Sequence, residues 1–233
     1  MDFVADNARQ ALERESLKLN SEQKILEGLA EALGLPQAPE RIEVYDNSHI
    51  SGDLMVGAMI VAGPEGLIKK AYRKFNIKSA QAADDYGMMR EVLRRRFSRT
   101  LKEGRGPGDP DWPDLLIIDG GLGQFNAAQE VLEEIGITDL TVLSIAKGPE
   151  RQPGKEKLFL AGRPPFRLPE ADPVFHYLQR LRDEAHRFAI GAHRTRRAMK
   201  ISRSLLDDIP GIGPSRKKAL LHHFGSAKAV TQA

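Results

Sequence analysis

Two aspartates close apolar runs: Asp46 in Val44-Tyr45-Asp46-Asn47-Ser48-His49 and Asp119 in Ile117-Ile118-Asp119-Gly120-Gly121. If those runs are neighbouring strands, the two carboxylates converge, and hard anionic oxygens at one point suit Mg²⁺ or Mn²⁺. A cation held there activates a water and offsets the charge that develops on a phosphate under attack. Taken singly, each residue has a plainer use. Asp-Asn-Ser starts turns well, and Asp-Gly is a turn that enters a helix. Asp84-Asp85 could supply a further carboxylate near the metal, or complement the dipole at the start of a helix. His186, in Arg182-Asp183-Glu184-Ala185-His186-Arg187-Phe188, borders the apolar stripe Leu178, Leu181, Ala185, Phe188 and Ala192. From that border it can face a cleft as base, leaving-group acid or metal ligand, with Asp183 one turn earlier to orient it. Its plainer use is that of a half-buried structural histidine.

Two glycine-rich stretches remain. Gly120-Gly121-Leu122-Gly123 follows a strand but lacks the Gly-Lys-Ser/Thr ending of a P-loop, which argues against a nucleotide-hydrolysing site. Pro210-Gly211-Ile212-Gly213 allows a tight turn whose backbone N–H groups and following helix N-terminus face an anion. Arg216, Lys217 and Lys218 come next, so this segment fits DNA phosphates with little reading of bases. The competing use is a helix stop followed by another helix.

Charge points to the same partner. The net charge of the 233 residues is only +3, but from Arg180 onward twelve Lys/Arg, among them Arg194, Arg196 and Arg197, face four acids. A second cluster comprises Arg90, Arg94, Arg95, Arg96, Arg99, Lys102 and Arg105. Such clusters gain free energy by releasing counterions from a polyanion, although one alone is more readily a solvated helix face. Cysteine is absent, which removes disulfides, thiolate zinc sites and cysteine nucleophiles and suits the cytoplasm. No apolar run is long enough to span a bilayer, so no membrane partner is expected.

The elements that position these residues follow from periodicity. Residues 1–34 read as one or two helices. Strands are expected at Arg41–Asp46, Leu54–Ala62 and Leu67–Asn76 in a meander, then a helix from about Ala82 to Glu103. Leu115–Ile118 is a continuous apolar strand of the kind buried on both faces. A helix from about Gly123 to Ile135 and a strand at Thr141–Ile145 complete a unit of crossover length, so those two strands should be parallel. A hairpin or loop over 147–168 precedes a long helix from Asp172 to about Lys200, and a short one covers Ser215–Phe224. The expected class is α/β: an RNase H-like mixed sheet flanked by helices, followed by a small all-α helix-hairpin-helix segment. Boundaries are expected at 1–38 for a helical lead-in, 39–200 for the sheet domain and 201–233 for the DNA-binding segment.

In this order and spacing the segments 44–49, Asp84-Asp85-Tyr86-Gly87-Met88-Met89-Arg90, 118–124, 182–188 and 209–214 resemble the UvrC family. The resemblance runs from about residue 5 to the end. It implies a Mg²⁺- or Mn²⁺-dependent DNA endonuclease that makes the 5′ incision beside a lesion in nucleotide excision repair, on damaged duplex held by UvrB. It also implies that Asp46, Asp119 and His186 are catalytic, Asp85 a further functional acid, and Asp84 its less certain neighbour. Three departures stand out. Asn47 replaces the family's usual aliphatic residue, and Leu122 stands where lysine is common. The family's GIY-YIG nuclease domain, to which the 3′ incision is assigned, and its UvrB-binding segment have no counterpart here. The chain also stops at Ala233, before a second hairpin. A non-catalytic DNA-binding scaffold is the rival expectation, marked by salt-dependent binding without metal-dependent cleavage.

Overall fold

Alternation along Ile42–His49 (β1) sends Ile42 and Val44 to one face of a sheet and Glu43 and Tyr45 to the other. All four are fully buried, so β1 is covered on both faces. The computed structural model describes residues 2–49, 55–77, 84–148, 154–202, 209, 211–224 and 230. In it β1 pairs antiparallel with Met55–Gly63 (β2) and parallel with Leu115–Asp119 (β5). Thr141–Ala146 (β6) is parallel to β5, as its crossover length requires, and Lys157–Leu160 (β7) pairs antiparallel with β6. The short strands Gly66–Leu67 (β3) and Arg73–Asn76 (β4) both pair with β2, giving the order β3-β2-β1-β5-β6-β7 with β4 also beside β2.

The run read from sequence as one strand over 67–76 is thus divided. Leu67 pairs with Ala62 and Arg73 with Met59, leaving five residues opposite two. The excess is taken up by a 3₁₀ turn at Lys69–Ala71, which sets Tyr72 edge-on against Phe188 at a ring separation of 5.0 Å. Likewise β7 lies in a stretch whose sequence suggested no more than a hairpin or loop.

Helices cover both faces. One core joins Ile42, Val44, Leu115, Ile117 and Leu143 to Leu26, Leu29 and Leu33 of Asp2–Leu33 (α1) and to Leu178, Leu181 and Ala185 of Pro173–Ser202 (α4). Each such leucine contributes roughly 1.5–3 kcal/mol by leaving water. The other core sets Tyr45, Leu116 and Ile118 against Asp85–Lys102 (α2) and Leu122–Glu134 (α3). α1 is one helix; Gly34, at φ 72°, ends it in the left-handed conformation that glycine adopts without steric cost. Asp172 starts α4 by accepting the Val174 N–H at 2.8 Å, with Pro173 in the first helical position.

By compactness the chain divides into two units, Met1–Ile190 and Gly191–Ala233. In the second, Pro214–Phe224 (α5) follows the glycine turn. Among the described residues no helix is long and apolar enough to cross a membrane.

Candidate active site

Because β1 and β5 are parallel, with Tyr45 beside Ile118, Asp46 and Asp119 come next in register. Both follow the face of Val44 and Ile117, which is the face that α4 covers. On α4, the small buried residues Ala185 and Ala189 let the helix sit close to the sheet. That closeness brings His186 over the strand ends, where its Nδ1 lies 2.9 Å from Asp46 Oδ2. Asp46 is 5% exposed, whereas the His186 side chain is about half exposed. One ligand atom each from Asp46, Asp119 and His186 all lie within 4.8 Å of one another, a group that metal-ligand geometry allows.

Burial, and after it the negative charge of Asp46, raise the Asp119 carboxyl from 3.8 to about 6. Lys147, Arg182 and His186 pull the other way. Sequence reasoning singled out neither Lys147 nor Arg182 for this centre. Lys147 comes two residues after Ile145, the partner of Asp119, and so continues β6 on the same face. Just after it the backbone makes a close approach: a Cβ on Gly148 would meet the Lys155 carbonyl oxygen at 2.4 Å. Arg182 is anchored from behind by Glu156, which is 3% exposed and lies 3.1 Å away. Burial alone would raise the Glu156 carboxyl, but hydrogen bonds from Gln179, its own backbone and Arg182 hold it below its usual value. A lysine directly after an apolar strand parallel to the Asp119 strand was the available signal for Lys147. Arg182 was hidden among the many cations of its helix.

Other expectations fall differently. Asp183, read as a residue that could orient His186, is 73% exposed and turns to Arg182 at 3.4 Å; Asp46 holds the histidine instead. Asp84 is the N-cap of α2, its carboxylate accepting the Gly87 N–H at 2.8 Å. A Cβ at position 87 would come within 2.2 Å of that carboxylate and so displace the cap. Asp85 lies in the first turn of α2, outside the three-residue ligand group. Asn47 pairs with Gly57 and follows the face of Tyr45, away from Asp46, and both polar atoms of its amide are buried without a hydrogen-bond partner among the described residues. Leu122 begins α3 and is 51% exposed.

In the second unit Gly211 has φ 89°, and the Ile212 N–H donates to the Ile209 carbonyl at 3.2 Å, closing the turn before α5. Arg216 donates to the Gly211 carbonyl at 2.7 Å, while Lys218 and Gly213 are exposed and Lys217 half exposed. Arg194, Arg196 and Arg197 belong to α4, but their side chains lie outside the described residues, as do residues 203–208 of the segment expected to form a helix-hairpin-helix.

A family model described as the UvrC RNAse H endonuclease domain matches residues 30–190. The UvrABC system protein C of Chelativorans sp. (strain BNC1) is 56% identical over 246 residues, covering 100% of this chain and 38% of that protein. The protein of that name from Paramagnetospirillum magneticum is 60% identical over 240 residues, with coverage of 100% and 38%. The chain therefore spans 38% of the length of these relatives. Among solved structures, Ciona intestinalis endonuclease V (D234N) with an inosine-containing 23mer DNA matches 58% of each chain at 15% identity. The TM-score of that match is 0.34.

Proposed function

The chain belongs to the UvrC RNase H endonuclease domain family, and from that membership we propose that Asp46, Asp119 and His186 form the centre of a metal-dependent DNA endonuclease. Its reaction is the 5′ incision beside a lesion in nucleotide excision repair, in the cytoplasm, on damaged duplex presented by UvrB. The observation that carries this reading is the convergence of two carboxylates and an imidazole within 4.8 Å at the ends of adjacent parallel strands.

The donor set fits a divalent cation. Burial and then the charge of Asp46 raise the Asp119 carboxyl, and a cation between the two carboxylates offsets both the lost hydration and the repulsion. Asp46 and Asp119 would hold Mg²⁺ or Mn²⁺, with the His186 imidazole beside the ion. When bound, the ion supplies Lewis-acid chemistry, polarising the phosphate and acidifying a water.

The chain's own groups do the rest. Asp46 fixes the orientation of the His186 ring through Nδ1, leaving Nε2 to take a proton from the attacking water or give one to the leaving oxygen. Lys147 and Arg182 provide positive charge beside Asp119, where a phosphate's non-bridging oxygens would lie, and Arg182 is held in place by Glu156 before substrate arrives. Asp85, in the α2 first turn, is proposed as an outer acid supporting the centre. Gly211, Gly213, Arg216, Lys217 and Lys218, with Arg194, Arg196 and Arg197, hold the duplex by its phosphates.

The test of the incision is its position. A damaged duplex loaded with UvrB and carrying a pre-made nick 3′ to the lesion should be cut on the 5′ side by the wild-type chain, and not by Asp119→Asn. Binding without any cut by either protein would favour a non-catalytic scaffold.

A further inference from the structure

The arginine cluster of α2 is divided by the structure. Arg90 and Arg94 pair with Glu130 and Glu134 of α3. Arg95, Arg96 and Arg99 turn the other way and meet three arginines distant in sequence: Arg41 from the start of β1, Arg73 from β4 and Arg105 from the loop after α2. These six line one pocket of about 250 Å³, with Phe75 in its wall.

The floor of this pocket is built and rigid. Glu43 is wholly buried and accepts from Arg41 at 3.0 Å, Arg96 at 2.8 Å and the Tyr45 hydroxyl at 2.6 Å. A buried carboxylate is costly unless paired, so its cost is met by fixing two guanidiniums in position. Arg96 also donates to the Asp111 carbonyl at 2.6 Å. Around the rim Arg95 pairs with Glu91, Arg99 with Glu103, and Arg105 with Glu103 and Asp111. Among the described residues four carboxylates therefore face six guanidiniums. Among the described residues no carboxylate pairs with Arg73, which donates only to the Lys70 and Tyr72 carbonyls. Exposed ion pairs of this kind are worth little and exchange readily for a stronger anion.

We propose that this pocket is a second site for the phosphate groups of nucleic acid, holding the strand that leaves the catalytic centre across the edge strand β4. Register supports the path. Asp46 pairs with Ala58 and Ala58 with Lys74, so Lys74 shares the face of Asp46 about 10 Å away, two strand spacings. Lys74 Nζ lies 4.4 Å from the ring centroid of Phe188, two residues beyond His186. The neighbours of Lys74 on the opposite face of β4, Arg73 and Phe75, line the pocket. β4 thus carries cations toward both the catalytic face and the arginine pocket. Phe75, with Arg95 over its ring at 5.8 Å, offers a surface on which an unpaired base can stack, which an acidic peptide would not use. The inference rests on the nuclease reading for the direction of the strand.

The experiment compares the full chain with the double variant Arg73→Gln, Arg99→Gln, both positions being exposed. The control, Lys24→Gln with Lys157→Gln, removes the same charge from other exposed positions. Binding of a fluorescein-labelled DNA duplex with a single-stranded branch is followed by anisotropy over a range of salt. The pocket variant should bind about tenfold more weakly at low salt, with a log–log salt slope reduced by about 1.8 for two lost phosphate contacts. The control should change neither by as much, and Mn²⁺ affinity should be the same in all three proteins. An unchanged slope, or an equal change in the control, overturns the proposal. In the case of an unchanged slope, an acidic protein surface becomes the occupant of the pocket. Cleavage is scored separately against Asp119→Asn; its absence in the wild-type chain overturns the nuclease reading, while the salt slope still decides the pocket.

Discussion

Asp119 carries more of the electrostatic cost of this centre than any residue around it, and that cost has a sign. In the metal-free native state its carboxyl keeps a proton up to about pH 6, first because it is buried and then because Asp46 is charged, whereas an unstrained carboxyl releases it near 3.8. As pH rises through that window the unfolded chain deprotonates first. The native state therefore loses stability, on the order of 3 kcal/mol once both states are ionised. Denaturation at several pH values should show wild type falling relative to Asp119→Asn between pH 4 and 7, and Mn²⁺ should restore the difference. Mn²⁺ affinity should in turn weaken below pH 6, by up to about tenfold per unit, because the ion must displace that proton. A residue-scale prediction of the opposite kind concerns Asn47, whose buried amide has no partner on the α2 face. Asn47→Val should stabilise the chain by about 1–2 kcal/mol in the same assay and leave the incision rate unchanged.

At the scale of elements, the centre depends on where helices begin and how closely they lie on the sheet. Asp84 starts α2 and does not join the ligand group, so Asp84→Ala should cost about 1 kcal/mol of stability with a smaller effect on Mn²⁺ affinity than Asp46→Asn. Calorimetry and metal titration on the same samples separate the two effects. Much of this layer was legible beforehand. Asp46 and Asp119 stood at the ends of apolar runs, and the crossover length between β5 and β6 made them parallel. What stayed hidden depends on contacts between distant residues. Nothing near His186 says that Asp46, 140 residues away, holds its ring; only the family resemblance paired them. The division of β3 from β4 has no breaker at the turn itself, and it follows from how much of β2 each strand can reach. Glu43 reads as an ordinary polar residue of a strand until Arg41 and Arg96 are seen to enclose it.

For the whole molecule, the two units carry different parts of the proposed task. The first holds the carboxylates proposed as catalytic and the arginine pocket; the second holds the glycine turn and the cations of α5. Lys217→Gln with Lys218→Gln should therefore weaken DNA binding and lower its salt slope by up to about 1.8, while leaving Mn²⁺ affinity at Asp46 and Asp119 as it was. Anisotropy and metal titration read the two effects independently. The measurement that bears most directly on the metal centre is the single-turnover rate of DNA nicking against Mn²⁺ concentration, for wild type and Asp119→Asn. The account predicts a rate that is absent without metal and saturates with it, and a loss of at least about a thousandfold in the variant at unchanged DNA affinity. Equal rates in the two proteins, or cleavage that persists without metal, would contradict it.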